Sequence, residues 1–318
     1  MVPSKILCVS ANPAVDRRVY LDALIPGEVN RARSSLAMSG GKAAHVAMAA
    51  RALGVEASWI GFLGGAIGEQ VEAELRKLTI EVSPIRTASA TRVNLEVIED
   101  SGRITEVLEP GGQITGDEQT EFLRLFTQNL SGSWKGALVA IPGSLPPGLP
   151  ADFYAQLIDV ARKAGSKVFL DTSGKALNEG IAAEPDFVKP NRKEVEVLLG
   201  RALPNAQAVA VAAREIISRG ARSVAITMGA EGLVWLESKD CPAWFAQPPK
   251  LRAISTVGCG DTTFAGFAYA ALQGLKSEDA LRFATACGAA NCVAELEGRI
   301  SLTDVENLLP KVTIKSLP

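Results

Sequence analysis

The run Ser255-Thr256-Val257-Gly258-Cys259-Gly260-Asp261-Thr262-Thr263-Phe264-Ala265-Gly266-Phe267 places an acid directly behind two glycines, where a stretch of small and apolar residues begins. A glycine-flanked turn that feeds a helix leaves several backbone N–H groups unpaired and pointing one way, and such groups bind anionic oxygen. An acid in the first helical turn is favoured as its carboxylate by the helix dipole. Asp261 is therefore a candidate proton acceptor, with Gly258, Cys259 and Gly260 as candidate donors to a transferring phosphoryl group. The plainer reading is a turn followed by a helix cap, and this segment alone does not separate the two.

The elements that must position such a turn repeat one pattern: a short apolar run, a Gly or Pro turn, then an amphipathic stretch. That is how the alternating strands and helices of an α/β protein read. Apolar runs at 6–9, 59–63, 137–141, 168–170, 187–188 and 224–227 lack polar alternation, as strands do in a sheet covered on both faces. Phe153, Leu157, Val160, Ala161 and Ala164 recur at three- and four-residue spacing and predict a helix packed on that sheet, ended by Gly165. Segments 15–38 and 91–108 are richer in charge and β-branched residues, and Asn94 to Asp100 alternates ahead of the turn Asp100-Ser101-Gly102. A half-exposed hairpin reads this way, so these segments are expected to form a small β lid. No linker or internal repeat divides the chain, which predicts a single domain over 1–318.

Composition excludes several classes of function. The 33 Lys and Arg against 35 Asp and Glu leave a net charge of -2, with no global attraction for nucleic acid or an anionic membrane. No segment approaches the roughly 18 apolar residues of a membrane span, and Met1 to Ser10 reads as a buried strand without the cleavage site of a signal peptide. The five cysteines are scattered with no C-x-x-C pair, which points to a reduced, cytoplasmic setting and away from zinc.

The segment 255–267 resembles the C-terminal signature of the PfkB branch of the ribokinase-like sugar kinases, a Gly-x-Gly-Asp turn running into a helix. Lys189-Pro190-Asn191-Arg192-Lys193-Glu194 is similar to the family's Asn-x-x-Glu element, and Thr227-Met228-Gly229-Ala230-Glu231-Gly232 to its strand-end loop near the nucleotide. Asn12-Pro13-Ala14-Val15-Asp16, Gly27 to Ala32, Ser39-Gly40-Gly41-Lys42, Thr91-Arg92-Val93-Asn94, Gly143 to Gly148 and Asp171 to Gly174 resemble the group of 1-phosphofructokinases and tagatose-6-phosphate kinases. The likeness runs through nearly the whole chain in order and spacing. It implies a three-layer α/β/α fold with a mostly parallel central sheet and a β lid, and an ATP-dependent kinase that phosphorylates a phosphorylated ketohexose. Fructose 1-phosphate is the first choice of acceptor, tagatose 6-phosphate or fructose 6-phosphate the second.

By the same resemblance, Asn191 and Glu194 would position hydrated Mg2+, and Lys189, Thr227, Gly229 and Gly232 would shape the ATP site. Asn191 and Glu194 also read as a helix cap and its capping-box partner, and one capped helix can serve both ends. A sugar phosphate brings about two negative charges and calls for fixed cations and oriented N–H donors. Lys42, Arg92 and Arg31 can supply the charge, Gly40, Gly41 and Ser144 the donors, and Asp16 and Asn94 the contacts to hydroxyls. A solvated surface side chain is the rival reading for each cation, strongest at Arg31 and weakest at Lys42. The acceptor would lie between lid and body, and the lid strands could pair two copies of the chain into a homodimer.

Four positions depart from the group, Ala43, His45, Pro142 and Cys259. Gly40-Gly41-Lys42-Ala43-Ala44-His45 stands where Gly-Gly-Lys-Gly, one further residue and Asn are usual, Pro142 replaces a serine, and Cys259 replaces an alanine. His45 is carried over as a contact to the acceptor. A dinucleotide-dependent oxidoreductase would want G-x-G-x-x-G after the first strand, where Asn12-Pro13-Ala14 stands. A P-loop kinase would want Ser or Thr after Lys42, where Ala43 stands. A catalytically silent sugar-phosphate sensor on the same fold has no need of Asp261.

Overall fold

A computed structural model of the chain describes residues 5–317; the first four residues of the stretch read above for a signal peptide lie outside the described residues. The apolar runs form a ten-stranded sheet. Lys5–Ser10 sits inside it, parallel to Glu56–Leu63 on one side and Leu138–Pro142 on the other. Glu81–Arg86 extends the first side, and Val168–Asp171, Phe187–Val188 and Val224–Thr227 extend the second, all in parallel. Alternate residues of the first strand enter two different cores: Ile6 and Cys8 pack with Trp59, Phe264 and Phe267, whereas Leu7 and Val9 pack with Ile60, Phe122 and Phe153. A strand covered on both faces needs no polar side, which is why these runs lack alternation. Helices Lys42–Ala52, Gly65–Lys77, Cys259–Gln273 and Ser277–Val293 cover one face. Gly116–Ser131, Phe153–Lys163, Gly174–Ala182 and Ala206–Ser218 cover the other.

Three antiparallel strands, Leu233–Leu236, Ala243–Gln247 and Thr313–Leu317, complete one edge and were not foreseen. The first of them follows Val224–Thr227 after a short turn closed by Gly232 at φ 118°. So short a connection reverses direction, whereas a parallel return needs a crossover of a dozen residues or more.

Segments 15–38 and 91–108 contribute a separate four-stranded sheet. Ala14–Leu21 pairs with Ser34–Gly40 in antiparallel fashion and with Arg92–Glu99 in parallel, and Ile104–Leu108 folds back on the latter through the turn at Gly102. The register sets Asp16 beside Asn94 and Arg18 beside Glu96. These four polar residues share one face, and all four are buried. Arg18 meets Glu96 Oε2 at 3.2 Å, donates to the Glu295 carbonyl at 2.7 Å and pairs with Glu297, so that the face is turned toward the segment following helix Ser277–Val293.

Candidate active site

The parallel strands end on one side of the main sheet, and their ends carry Asn12, Gly143, Asp171, Lys189 and Thr227. The N-termini of helices Lys42–Ala52 and Cys259–Gln273 bring Lys42, His45 and Asp261 to the same group, as the contacts below establish. The crevice outside the carboxyl ends of parallel strands is where α/β folds bind ligands.

Gly258 is the N-cap of helix Cys259–Gln273 and takes φ 75°, a left-handed conformation that favours glycine. Asn291 holds this turn by donating to the Val257 carbonyl at 2.7 Å. Asp261 follows in the first turn, 6% exposed, with its Oδ2 2.8 Å from His45 Nδ1. The other ring nitrogen, Nε2, lies 3.1 Å from Asp16 Oδ2 as a charge contact without the alignment of a hydrogen bond. Asp16 Oδ1 accepts from Asn94 at 2.8 Å and its Oδ2 from the Gly41 N–H at 3.2 Å. A Cβ at position 40 would stand 2.1 Å from the Asp16 carboxyl carbon, so the pairing of strands at this point requires glycine. Burial pushes the imidazole's pKa down, but the two carboxylates outweigh it and raise His45 to about 10. Burial likewise pushes Asp16 up, while His45, Asn94 and the Gly41 N–H together bring it below the ordinary carboxylate range.

Asp171, at the end of its strand and 1% exposed, sits between two ammonium groups: Lys42 Nζ at 3.0 Å and Lys189 Nζ at 2.9 Å. Against burial, these two charges hold Asp171 below its usual range. Lys42 is held protonated well into the alkaline range, burial being outweighed by Asp171, Asp261 and Glu194. Asn191 and Glu194 form a reciprocal capping box on helix Arg192–Leu199, with bonds of 2.9 and 2.7 Å. Burial keeps Glu194 above its usual value, with Lys42 and Asp171 acting in opposite directions.

Arg92 lies across the crevice, donating to the carbonyls of Glu109 at 2.5 Å and Asn12 at 3.2 Å. Asn12 donates in turn to Ser144 Oγ at 3.3 Å, and Gly143 N–H binds the Asp171 carbonyl at 2.8 Å. Arg92, Asn12, Ser144, Gly143, Asp171 and Lys42 thus form a continuous wall. Arg92 Nε and Asn94 Oδ1 are buried there without a partner. Arg31 is exposed in the loop 22–33, and no hydrogen bond or ion pair among the described residues ties it to this wall.

A cleft of about 530 Å³ opens on the other side of the Gly258–Gly260 turn. Thr227, Gly229 and Gly232 line it, together with Cys259, Gly260 and Thr263. Sequence reasoning missed Pro248, Leu251, Thr256, Thr285, Ala289 and Cys292 on its walls. The small residues of 284–292 were the available signal. Cys259 Sγ lies 2.8 Å from Cys292 Sγ, both as free thiols.

The pfkB family carbohydrate kinase profile matches residues 4–300. The chain belongs to the pfkB family of carbohydrate kinases. Curated relatives include the 1-phosphofructokinase of Vibrio cholerae, 33% identical over 305 residues, covering 96% of this kinase and 93% of the relative. The 1-phosphofructokinase of Rhodobacter capsulatus is 35% identical over 320 residues, 99% of this kinase and 98% of the relative. Among solved structures, Escherichia coli phosphofructokinase-2 in complex with fructose-6-phosphate superposes with a TM-score of 0.86 at 28% identity, covering 98% of this kinase and 99% of that chain. Arabidopsis thaliana ribokinase, at 22% identity, has the same fold with a TM-score of 0.76, covering 97% and 99% of the two chains. The fold is ribokinase-like, and membership of a kinase family implies the use of ATP. No helix among the described residues is long and apolar enough to cross a membrane.

Proposed function

We propose that this kinase phosphorylates fructose 1-phosphate to fructose 1,6-bisphosphate with MgATP in the cytoplasm. The carrying observation is that Asp261 stands at the junction of two differently built sites. On one side is the cleft at Gly229, Gly232 and Gly260, of a size that fits the roughly 300–1,000 Å³ of small-molecule pockets. On the other is the polar face of the four-stranded sheet, reached from Asp261 through His45 and Asp16. The name 1-phosphofructokinase, shared by relatives that span the chain, supports the choice of acceptor.

In this reading Asp261 takes the proton of the acceptor hydroxyl as its oxygen bonds to the γ-phosphorus and the bond from phosphorus to the departing ADP oxygen breaks. The N–H groups of Gly258, Cys259 and Gly260 steady the charge on the transferring group. Lys42, whose charge is set among Asp171, Asp261 and Glu194, faces that group as well as the acceptor. Arg92 takes the phosphate already on the sugar, its unpartnered Nε being a donor in need of an acceptor. Asp16 and Asn94 hold sugar hydroxyls, with Gly40, Gly41 and Ser144 around them; Arg31 belongs to the acceptor side only as an outlying charge. Lys189 supports Asp171 from within.

The donor set at Asn191 and Glu194 suits hydrated magnesium. One Glu194 oxygen is committed to the cap and the other is open, the described residues hold no cluster of three metal-ligating side chains, and Mg2+ keeps several of its waters. When bound, the ion neutralises charge on the β- and γ-phosphates.

The four-stranded sheet acts as a lid within a single domain, excluding water from the acceptor site. Leu36, Val107 and Leu108 on its strands are exposed, as are Ile25 and Val29 in its loop, which supports a homodimer through this sheet.

The test is a screen of fructose 1-phosphate, fructose 6-phosphate, tagatose 6-phosphate and unphosphorylated fructose with MgATP. The highest kcat/KM is expected for fructose 1-phosphate. A higher value for either 6-phosphate would reassign the acceptor, and binding of these sugars without transfer to any would make the protein a sensor.

A further inference from the structure

Both ring nitrogens of His45 face carboxylates, Nδ1 at 2.8 Å from Asp261 and Nε2 at 3.1 Å from Asp16. A neutral imidazole has one N–H and would turn a lone pair toward one of the two; only the imidazolium answers both. The ring is buried, 3% exposed, and the segment following helix Ser277–Val293 closes over its backbone. A Cβ at Gly298 would lie 2.9 Å from both Cα and the carbonyl oxygen of His45. The titratable groups that face the ring are Asp16 from strand Ala14–Leu21 and Asp261 from helix Cys259–Gln273. The covering segment offers it the Gly298 backbone, while Glu297 there is engaged with Arg18 beside Glu96. On its own helix, Lys42 is turned to Asp171. An asparagine in this place would carry no charge and have a shorter reach.

We propose that His45 is a positioning residue for phosphoryl transfer: its imidazolium clamps the acceptor-holding Asp16 to the proton-accepting Asp261 and offsets their charge, so that an anionic sugar can be seated against both. The inference rests on the roles given to Asp16 and Asp261 above. In this kinase, acceptor recognition and base orientation are one mechanical unit. Opening either contact loosens the other. The clamp is complete below the ordinary histidine value of 6.5 and is lost as pH rises through about 10, because the unfolded or released imidazole holds its proton less tightly than the clamped one.

The chain has a single histidine, so imidazole proton resonances in the folded protein report His45 without ambiguity. Titrated without ligand, they should show a charged ring at neutral pH that deprotonates near pH 10; deprotonation near the ordinary 6.5 would overturn the clamp whatever the activity. Kinetics of His45→Asn and His45→Gln supply the second arm, with MgATP binding measured on the same preparations to establish folding. Each variant should lose roughly tenfold or more in kcat/KM for the acceptor, the worth of one charge-assisted hydrogen bond, with the KM for ATP unchanged. Each should also lack the alkaline limb expected of the wild type near pH 10. A folded variant with wild-type kcat and acceptor KM, or with that limb intact, would refute the positioning role. Should neither variant fold, the resonance titration decides alone. A wild type inactive on every sugar phosphate would defeat the proposed function, while the titration would still test the clamp.

Discussion

The two sheets of this kinase are built to opposite rules. In the ten-stranded sheet, successive residues of Lys5–Ser10 enter two apolar cores, and the covering helices supply Phe264 on one face and Phe122 and Phe153 on the other. In the four-stranded sheet the face turned inward carries Asp16, Arg18, Asn94 and Glu96, exposed by 3, 1, 7 and 2%. Replacing a buried ion pair by apolar residues is often neutral or stabilising, so those charges are weak evidence of a stabilising role. A division of labour follows from the proposed function: the large sheet holds the molecule together and sets strand ends in place, while the small sheet would turn its buried polar face to the acceptor. Substitutions in the first should then cost stability, and in the second should cost activity.

The largest effect expected is on kcat. Asp261→Asn keeps the shape at the junction of the two sheets and should lower kcat by about 10² to 10⁴, as loss of a well-placed base does, with both KM values little changed. Near-normal kcat in a folded Asn variant would leave Asp261 only its structural contact with His45 and the comparison without its centre.

Phe122→Ala tests the other half. Its ring lies 4.9 Å from Phe62 and 5.5 Å from Phe153 between centroids, fully buried on the far side of the main sheet. Denaturant unfolding should record a loss of about 3–5 kcal/mol, with kcat/KM for both substrates unchanged at temperatures where the variant is folded. A kinetic defect there would blur the division.

Arg92→Ala belongs to the small sheet and should raise the acceptor KM, or lower its kcat/KM, by roughly tenfold, the equivalent of one charge-assisted hydrogen bond. The effect should shrink with unphosphorylated fructose. A raised KM for ATP at unchanged acceptor KM would move Arg92 to the donor side.

The smallest effect separates two uses of one residue. Glu194→Gln should raise the magnesium concentration needed for half-maximal rate while acceptor binding stays intact. A residue that only caps its helix would leave the magnesium response alone and change stability little, because glutamine can also accept from the Asn191 N–H.

Much of this was legible in the amino-acid order. Chains of apolar residues without alternation gave away the parallel strands because a strand covered on both faces has no polar side to show. The hairpin at Asp100-Ser101-Gly102 was legible because its turn is local, with Gly102 at φ 82°. Asp261 behind its two glycines, the capping box at Asn191 and Glu194, and the loop at Gly229 and Gly232 are likewise short-range patterns, each closed within a few residues. Order also made His45 visible as a departure, without saying what it touches.

What tertiary structure alone decided are the pairings between residues far apart in the chain. Lys42 and Asp171 are 129 residues apart and His45 and Asp261 216 apart, and no periodicity or spacing encodes which distant carboxylate an ammonium or imidazole will find. The same holds for the polar inner face of the small sheet, set by the register of Ala14–Leu21 on Arg92–Glu99. It holds too for the walls of the cleft at Gly229, Gly232 and Gly260, assembled from a strand-end loop, the segment 247–253 and two helices. Local sequence sets backbone conformation through sterics and caps; which side chains then share a charge depends on how layers pack, and that is a property of the whole fold.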